Sequence, residues 1–339
     1  MLILVTGATG FLGSNIARGL AHAGHRVRVL ARPGSSLDLL AGLPIQVVQG
    51  DVLVPATLEA ALGGVEAVVH AAAQMRGGRS LDERMASHVL GTRNVLAGAR
   101  HAGIGRFVHI SSVAALGIPD EPLAPTDTSA MPMDETHAWN APPDLWPYGY
   151  AKHQAELEVR SAVAAGLDAV VVNPSIVLGA GDRKLVSNGL VWHAARGRIP
   201  PIIPGGVGVV HIEDLVEGTL AALQRGRAGE RYILNGENLS VEQLVTLVTE
   251  AVGLPPPRVR LSLRTARALA RGADILTRLV QPDARPVLLE LAGRYFYYDN
   301  RKARAELRVA LSRTAAAGAG QALQWYRETS GQGSGVSGQ

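Results

Sequence analysis

Residues 5–13 read Val-Thr-Gly-Ala-Thr-Gly-Phe-Leu-Gly and join two different hydrophobic patterns. Before this stretch, Leu2–Val5 is a short apolar run of the kind found in a buried parallel strand. After it, apolar residues recur at helical spacing between Phe11 and Ala23. A strand that turns through glycines into a helix directs backbone N–H groups and the positive end of the helix dipole at one point. That point suits a pyrophosphate group.

The three glycines of this turn have distinct expected roles. We expect Gly7 to allow the sharp turn, Gly10 to let the backbone approach a phosphate, and Gly13 to let the helix pack closely on the strand. The alternative is an incidental glycine-rich turn, because such a motif alone is weak evidence, but its place between a first strand and a helix favours nucleotide binding. The residues of the turn predicted to bind a cofactor are Gly7, Thr9, Gly10, Phe11, Leu12 and Gly13.

The length and composition set limits on the class of protein. A chain of 339 residues can bury a large core, as one α/β domain or as a main domain with a smaller lobe. No apolar run approaches the length of about 20 residues that spans a bilayer, and the first residues enter a strand rather than a cleavable leader. We therefore expect a cytoplasmic protein with no integral membrane segment.

The chain has no cysteine, and His70 has no second ligand at metal-binding spacing, so we expect neither disulfides nor a metal site.

The net charge of +4 conceals a local excess of basic residues. Between Arg258 and Arg313 there are 13 basic and five acidic residues, an excess of +8, and Thr265–Val280 is predicted to be an amphipathic basic helix within this stretch. Such a stretch can attract an anionic substrate, a membrane surface or nucleic acid, or can be a solvated helix face. Aromatic residues make up only 4% of the chain and are not interleaved with basic ones, so we expect no nucleic-acid partner.

Strand and helix patterns alternate through the first half of the chain. The predicted strands after the first are Arg26–Leu30, Ile45–Gln49, Ala67–His70, Arg106–Ile110 and Ala169–Asn173, and the helices between them lie around Ala56–Leu62, Met85–Ala102 and Tyr150–Ala165. This rhythm predicts an α/β fold with a Rossmann-type, doubly wound parallel sheet and a smaller C-terminal substrate lobe.

The expected domain boundaries follow from the same reading. We expect residues 1–174 to form the cofactor-binding domain, with a later strand near 231–234 returning to its sheet. Residues 175–325 are expected to form the substrate-binding lobe and residues 326–339 a flexible tail. Ser240–Gly253 is predicted to be a helix capped by Ser240 and ended by Gly253.

Ligands of such sheets lie at the carboxyl ends of the strands, which singles out the residues after each strand. Arg32 follows the second strand, where an acidic side chain would bind the ribose hydroxyls of NAD. The guanidinium of Arg32 instead suits the 2′-phosphate of NADP, so we expect NADP, with NAD as the alternative. Arg32 can also be an ordinary surface arginine. Asp51, followed by Val52, can accept a hydrogen bond from an adenine amino group, or can cap a helix. The small residues Ala71, Ala72 and Ala73 can let a cofactor lie against the backbone, or can reflect tight packing.

Two further segments carry side chains suited to proton transfer. Ser111 and Ser112 end the fifth strand, and Tyr148 and Lys152 stand four residues apart at the start of the next helix. Positions i and i+4 share a helix face, so the ammonium of Lys152 and the positive nicotinamide can lower the pKa of the Tyr148 phenol. Such a tyrosine can serve as a general acid or base, while a strand-end hydroxyl holds the substrate oxygen. A tyrosine and a lysine four apart are common by themselves, so the pair gains meaning only from its context.

These motifs occur in an order and spacing that closely resemble the extended short-chain dehydrogenase/reductase superfamily, of the NAD-dependent epimerase/dehydratase type, over roughly residues 1–325. Within it the chain looks most like the dihydroflavonol-reductase-like and hopanoid-associated sugar-epimerase-like branch. The motifs that carry the likeness to the superfamily are residues 6–13, Gly50–Val52, Ala71–Ala73, Gly91–Asn94, Ser111-Ser112, Tyr148 with Lys152, Asn173–Gly179 and Val210–Asp214. The likeness to this branch is carried by Val29–Ser36, Asp134–Thr136 and Val172–Gly179.

The resemblance implies specific roles for these residues. Ser112 would position the substrate oxygen, Tyr148 would exchange the proton, and Lys152 would lower its pKa while binding the nicotinamide ribose. Pro174 and Ile176 would border the nicotinamide, and the glycine turn, Arg32, Asp51, Val52, the three alanines and Ser111 would complete the cofactor site. Tyr148, like Lys152, would also contact the cofactor. It also implies a homodimer. His88 stands where the family often has asparagine, so a proton relay through that position must use His88 or run differently.

The sequence therefore predicts an NADP-dependent oxidoreductase that interconverts a carbonyl and an alcohol on a small-molecule substrate. A nucleotide-sugar epimerase or dehydratase that retains NAD is the second hypothesis, although such epimerases commonly have arginine where this chain has Asn173. A non-catalytic dinucleotide-binding sensor is the third, because a fold alone does not determine function.

Overall fold

The computed structural model describes residues 1–73, 81–119, 132–255, 257–266, 268–269 and 293–331. The helices in these ranges, numbered in chain order, are α1 (Phe11–His22), α2 (Leu58–Leu62), α3 (Leu81–Met85), α4 (Gly91–His101), α5 (Pro147–Ala164), α6 (Gly189–Ala194), α7 (Ile212–Arg225), α8 (Val241–Val252), α9 (Arg301–Glu306) and α10 (Ala315–Gly331). The strands are β1 (Leu2–Thr6), β2 (Arg26–Ala31), β3 (Ile45–Gln49), β4 (Ala67–His70), β5 (Arg106–Ile110), β6 (Ala169–Pro174), β7 (Ile176–Leu178), β8 (Gly206–His211), β9 (Arg231–Leu234), β10 (Glu237–Ser240) and β11 (Tyr295–Phe296).

Seven strands form a parallel sheet in the order β3-β2-β1-β4-β5-β6-β9. The apolar run of β1 explains why the sheet is covered on both faces. Ile3 and Val5 pack with α1 and α7 on one side, while Leu4 packs with α2, α4 and α5 on the other. The prediction of a Rossmann-type α/β fold is confirmed. The strand order reverses between β1 and β4, and this is where such a sheet forms a crevice.

A second, smaller sheet lies in the C-terminal part of the chain. Its central strand β8 pairs in parallel with β7 and β11 and antiparallel with β10. Helix α8 follows β10 and begins with a capping box in which Ser240 and Gln243 bond each other's backbone; it ends at Gly253, whose φ is +79°. The predicted capped helix is therefore confirmed.

The structure differs from the sequence-based expectations at two helices. The helix expected from Met85 to Ala102 is interrupted by a π-helical turn, Ala86–Leu90, between α3 and α4. Helix α10 continues through Gly331, so the expected flexible tail does not begin at residue 326. The reason is that Tyr326 is only 3% exposed and its hydroxyl donates to the Asp182 carbonyl at 2.9 Å, which anchors the helix.

Some expectations fall on residues outside the described ranges. Most of the predicted basic helix Thr265–Val280 does, as do residues 120–131 of the loop before α5 and residues 332–339. Among the described residues, every helix is too short or too polar to span a bilayer.

Helix α1 lies unusually close to the turn that precedes it. A Cβ added at Gly13 would stand 2.3 Å from the Gly7 carbonyl oxygen and 2.6 Å from its carbonyl carbon. Backbone atoms cannot yield to such a contact without moving the helix, so only glycine fits here. The close packing expected at Gly13 is present.

We predict that Gly13→Ala lowers the free energy of unfolding by about 1–3 kcal/mol, because the added methyl group forces α1 away from β1. The matched control is Gly320→Ala in α10, where an added Cβ meets nothing within 4 Å. The control is expected to stabilise the protein by about 0.5–1 kcal/mol, since alanine favours a helix. Equilibrium denaturation measures both changes, and equal stability of Gly13→Ala and the unmodified protein would contradict the packing argument.

Candidate active site

The glycine turn lies at the carboxyl end of β1, next to the end of β4. Gly7 has φ of +72°, and a Cβ there would stand 2.6 Å from the backbone of Ala71 and Ala72. The turn therefore touches the segment after β4 through backbone alone. The Ala71 and Ala72 amides donate to the carbonyl oxygen and the hydroxyl of Thr6, at 3.2 and 3.3 Å. Ala71, Ala72 and Ala73 are half-buried and line one side of this crevice.

The start of α1 forms the other side of the crevice. Gly10 precedes the helix with extended backbone, no side chain caps the first turn, and no acidic residue lies in it. A Cβ at Gly10 would meet only the Gly7 carbonyl oxygen, at 3.3 Å. Thr9, Phe11 and Leu12 are half-buried around the opening. Backbone N–H donors at a helix N-terminus without a competing acid fit a pyrophosphate.

The residues expected near an adenosine lie on the loops after β2 and β3. Arg32 is exposed and begins a turn closed by a 3.0 Å bond from the Ser35 amide to its carbonyl. Asp51 accepts the Leu53 amide at 2.9 Å, so one carboxylate oxygen is used in a local turn. Asp51 and Val52 are half-buried. Asp51 therefore stabilises its own loop and still exposes part of its carboxylate.

Three predicted catalytic side chains gather where β5 meets the start of α5. Ser112 accepts the Ala114 amide at 3.1 Å and shares a side-chain hydrogen bond with Tyr148. Tyr148 lies in the first turn of α5 and Lys152 one turn later, with its Nζ donating to the Ile110 carbonyl at 3.0 Å. The structure thus brings the serine, tyrosine and lysine to one end of the sheet. Pro174 is buried at the end of β6, and Ile176 is 37% exposed at the start of β7.

Burial controls the proton affinity of this cluster. It raises the pKa of the Tyr148 phenol above its ordinary value, while the Ser112 hydrogen bond and the charge of Arg84 act in the opposite direction. Burial also lowers the pKa of Lys152 to about 8, and the Glu156 carboxylate opposes that change. The expectation that Lys152 lowers the pKa of Tyr148 stays a prediction, because the ammonium here donates to the Ile110 carbonyl.

Glu156 is not among the site residues predicted from the sequence, although it is only 4% exposed and joins several parts of the site. The Glu156 carboxylate accepts a hydrogen bond from the Ser111 hydroxyl and another, at 2.6 Å, from the side-chain amide of Asn173. The same amide group donates to the Ser112 carbonyl at 2.9 Å. Glu156 therefore holds the backbone that carries Ser112. Its position four residues after Lys152, on the same helix face, was the available signal.

Arg231 completes the environment of this carboxylate. Its Nη1 lies 3.3 Å from the Glu156 Oε2, and its other nitrogens donate to the carbonyls of Glu135 and His137 at 2.7 and 2.6 Å. Arg231 thus ties β9 to α5 through the ion pair and to the segment before α5 through the two carbonyls. A cavity of about 850 Å³ opens beyond it, and Glu156 and Arg231 are part of its lining. Among the described residues, this lining does not include Ser112, Tyr148 or Lys152, so the cavity lies outside the predicted catalytic cluster.

Three buried histidines, His70, His88 and His109, lie near the site. His88 lies in the π-helical turn, 1% exposed, with its ring edge-on to Tyr148 at 5.7 Å between centroids. His70 lies between the hydroxyls of Thr6 and Thr92, at 2.7 and 3.1 Å, and burial lowers its pKa to about 3. His70 also stacks on His109 at 5.5 Å. The two threonine hydroxyls fix the His70 ring inside the core, whereas the His88 ring lies against Tyr148.

Comparisons with a family model, with curated proteins and with solved structures agree on one family. Residues 3–235 match the model of the NAD dependent epimerase/dehydratase family. The chain is 33% identical over 331 residues to a putative dihydroflavonol 4-reductase of Synechocystis sp., covering 95% of this chain and 94% of the relative. It is 32% identical over 335 residues to sterol demethylase protein B of Methylococcus capsulatus, covering 97% and 99%. The crystal structure of gox2253 superposes with a TM-score of 0.84 at 34% identity, covering 98% of this chain and 99% of that one.

Other relatives include ketoreductases and reductases. The resemblance to extended short-chain dehydrogenases/reductases expected from the motifs is confirmed.

We predict that Glu156→Gln lowers the pKa of Lys152 below its value of about 8, because the substitution removes the negative charge that opposes the effect of burial. The chain has three lysines, Lys152, Lys184 and Lys302, so their side-chain carbons labelled with ¹³C can be followed separately by NMR during a pH titration.

The matched control is Glu158→Gln on the same helix, where Glu158 pairs with Arg93 at 2.7 Å. This control should leave the titration of Lys152 unchanged. An equal response of Lys152 in both variants would show that Glu156 does not set its charge.

Proposed function

We propose that this chain, which belongs to the NAD dependent epimerase/dehydratase family, is an NADP-dependent reductase that interconverts a carbonyl and an alcohol on a small organic substrate. The observation that carries the proposal is the meeting of Ser112, Tyr148 and Lys152 beside the crevice of the glycine turn. Relatives named as reductases and ketoreductases support net reduction as the reaction.

The residues of the crevice fit a nicotinamide dinucleotide, and when bound this cofactor supplies or accepts the hydride. The amides at the start of α1 would hold the pyrophosphate, and Gly7, Gly10 and Gly13 would let it approach the backbone of the turn. Asp51 and Val52 would meet the adenine, and Ala71–Ala73 and Ser111 would border the middle of the molecule. Pro174 and Ile176 would shape the nicotinamide end.

Tyr148 would perform the proton transfer. In the reductive direction the Tyr148 hydroxyl gives its proton to the substrate oxygen as the carbonyl carbon gains hydride, and in the oxidative direction the phenolate takes the proton back. Ser112 would donate a hydrogen bond to the same oxygen, where negative charge develops. Lys152 would stabilise the phenolate that remains on Tyr148, which requires its ammonium to stay charged.

Arg32 supports NADP rather than NAD as the cofactor. The end of β2 is where an acidic side chain would bind the ribose hydroxyls of NAD, and this position carries a guanidinium instead. Arginine pairs with phosphate through parallel N–H donors. By resemblance to the family we also propose a homodimer in the cytoplasm.

The second candidate, a nucleotide-sugar epimerase or dehydratase, uses the same residues and is included in the family description. The two differ in the fate of the cofactor. An epimerase keeps NAD through a full cycle, whereas the proposed reductase would release NADP⁺ and bind a new NADPH at each turnover. Purified protein that carries tightly held NAD would favour the epimerase.

We predict that Tyr148→Phe lowers kcat for carbonyl reduction by about 10²–10⁴-fold, because the general acid is lost. The absorbance of NADPH reports turnover on a panel of 3-oxo esters, cyclic ketones and aldehydes, and calorimetry should show that the variant still binds NADP⁺. The matched control is Tyr150→Phe, since Tyr150 lies on the same helix with Gln154, not lysine, four residues later. Turnover by Tyr148→Phe at the rate of the unmodified protein would overturn the assignment.

We predict that Arg32→Ala weakens NADP⁺ binding by about 10- to 100-fold and leaves NAD⁺ binding unchanged, because a charge-assisted bond to the 2′-phosphate is lost. Isothermal titration calorimetry measures both affinities. Arg26→Ala at the opposite end of β2 is the control and should leave both affinities unchanged. Equal losses for both cofactors in Arg32→Ala would contradict a role for Arg32 in selecting NADP.

A further inference from the structure

Arg183 joins two segments that are far apart in the sequence. It follows β7, on the side of the smaller sheet, and its Nη1 donates to the Ser36 hydroxyl at 3.1 Å and to the Asp38 carboxylate at 2.9 Å. Ser36 and Asp38 belong to the loop that begins with Arg32 after β2. A cation from the C-terminal part of the chain therefore rests on the loop proposed to select NADP.

The backbone beneath Arg183 is firmly held. The buried Asp182 carboxylate accepts the amides of residues 186, 187 and 188 at 3.0, 2.8 and 2.9 Å. The Asn188 side chain bonds both the amide and the carbonyl of Gly179, at 3.2 and 3.0 Å. The Tyr326 hydroxyl donates to the Asp182 carbonyl. Because this turn is fixed, the reach of Arg183 toward Ser36 is a built feature of the fold.

The same turn runs along the start of α1. The Asn15 amide group donates to the Phe11 carbonyl at 2.9 Å and to the Ala180 carbonyl at 3.1 Å. A Cβ at Gly181 would lie 3.3 Å from Asn15 Nδ2 and 3.6 Å from the Phe11 ring. Phe11 directly follows Gly10, where the pyrophosphate is proposed to bind. Residues 180–183 therefore extend from the pyrophosphate end of the crevice to the loop of Arg32.

Asp38 is the one feature of this loop that opposes a bound phosphate. Its side chain is 67% exposed, and the Ser36 hydroxyl and Arg183 lower the pKa of its carboxyl, so it is negatively charged at neutral pH. A carboxylate repels a phosphate that binds nearby unless a cation lies between the two groups. Both bonds of Arg183 come from Nη1, so Nη2 and Nε can meet a further acceptor.

We propose that Arg183 is a second ligand of the cofactor's 2′-phosphate and that Asp38 competes with the phosphate for it. This inference rests on the proposed preference for NADP. Arg32 and Arg183 then approach the phosphate from the two sheets of the molecule, with Ser36 as a hydroxyl donor between them. A 2′-phosphorylated cofactor would thereby replace Asp38 as the anionic partner of Arg183, and NAD would leave the Arg183–Asp38 pair as it is.

The test uses calorimetry with two fragments, adenosine 2′,5′-bisphosphate and adenosine 5′-monophosphate, on the full chain. Neither fragment carries nicotinamide, so the result is independent of turnover. We expect Arg183→Ala to weaken binding of the bisphosphate by about tenfold and leave the monophosphate unchanged. We expect Asp38→Asn to strengthen binding of the bisphosphate by a few fold, because it frees Arg183 and removes a negative charge.

The matched control is Lys184→Ala, which removes an exposed positive charge one residue further along. It should change neither affinity by more than about twofold, because an exposed charge is screened by solvent and salt. Thermal unfolding of each variant establishes that the fold is intact.

The outcomes separate the two proposals. If the unmodified protein binds both fragments equally, the proposed NADP preference fails and this inference fails with it. If the unmodified protein prefers the bisphosphate and Arg183→Ala retains that preference in full, only the role of Arg183 is refuted. Equal weakening of both fragments in Arg183→Ala would likewise refute it, since it would place Arg183 at the adenosine and not at the 2′-phosphate.

Discussion

Two buried charged side chains on α5, Lys152 and Glu156, constrain the arrangement of the whole site. A buried charge without partners is costly, so each of the two requires fixed partners. Lys152 donates to the Ile110 carbonyl at the end of β5, and Glu156 accepts from Asn173 in β6. Helix α5 must therefore lie across the ends of these two strands. Tyr148, one turn before Lys152, is then placed beside Ser112 without any further requirement.

The second constraint acts through atoms that side chains cannot replace. The contacts of Gly13 with Gly7, and of Gly7 with Ala71 and Ala72, are backbone contacts that exclude even a methyl group. They bring the start of α1 to the strand-order reversal between β1 and β4. The proposed cofactor cradle is thus set by packing inside the fold, and the proposed catalytic cluster by charges on α5. The two meet at the same edge of the sheet.

The sequence was sufficient to predict the features that depend on residues close together in the chain. The apolar runs of β1 to β6 and the turn at Gly7 are contiguous in the chain, so the parallel sheet and its crevice could be predicted. The role of Glu156 could not, because a carboxylate in a helix is usually solvated, and its partners Ser111, Asn173 and Arg231 are distant in sequence. The smaller sheet, the π-helical turn at Ala86–Leu90 and the anchoring of α10 by Tyr326 also depend on such distant contacts.

The proposed chemistry requires Tyr148 to be the acid and base of the reaction, with a pKa that falls when the cofactor binds. The most direct measurement is an NMR pH titration of the protein with ¹³C-labelled tyrosine rings, with Tyr148→Phe assigning one of the seven signals. We expect a Tyr148 pKa above the ordinary value in the free protein, where burial dominates, and a clear fall on saturation with NADP⁺. A Tyr148 titration that NADP⁺ leaves unchanged would show that the cofactor does not prepare Tyr148 for proton transfer.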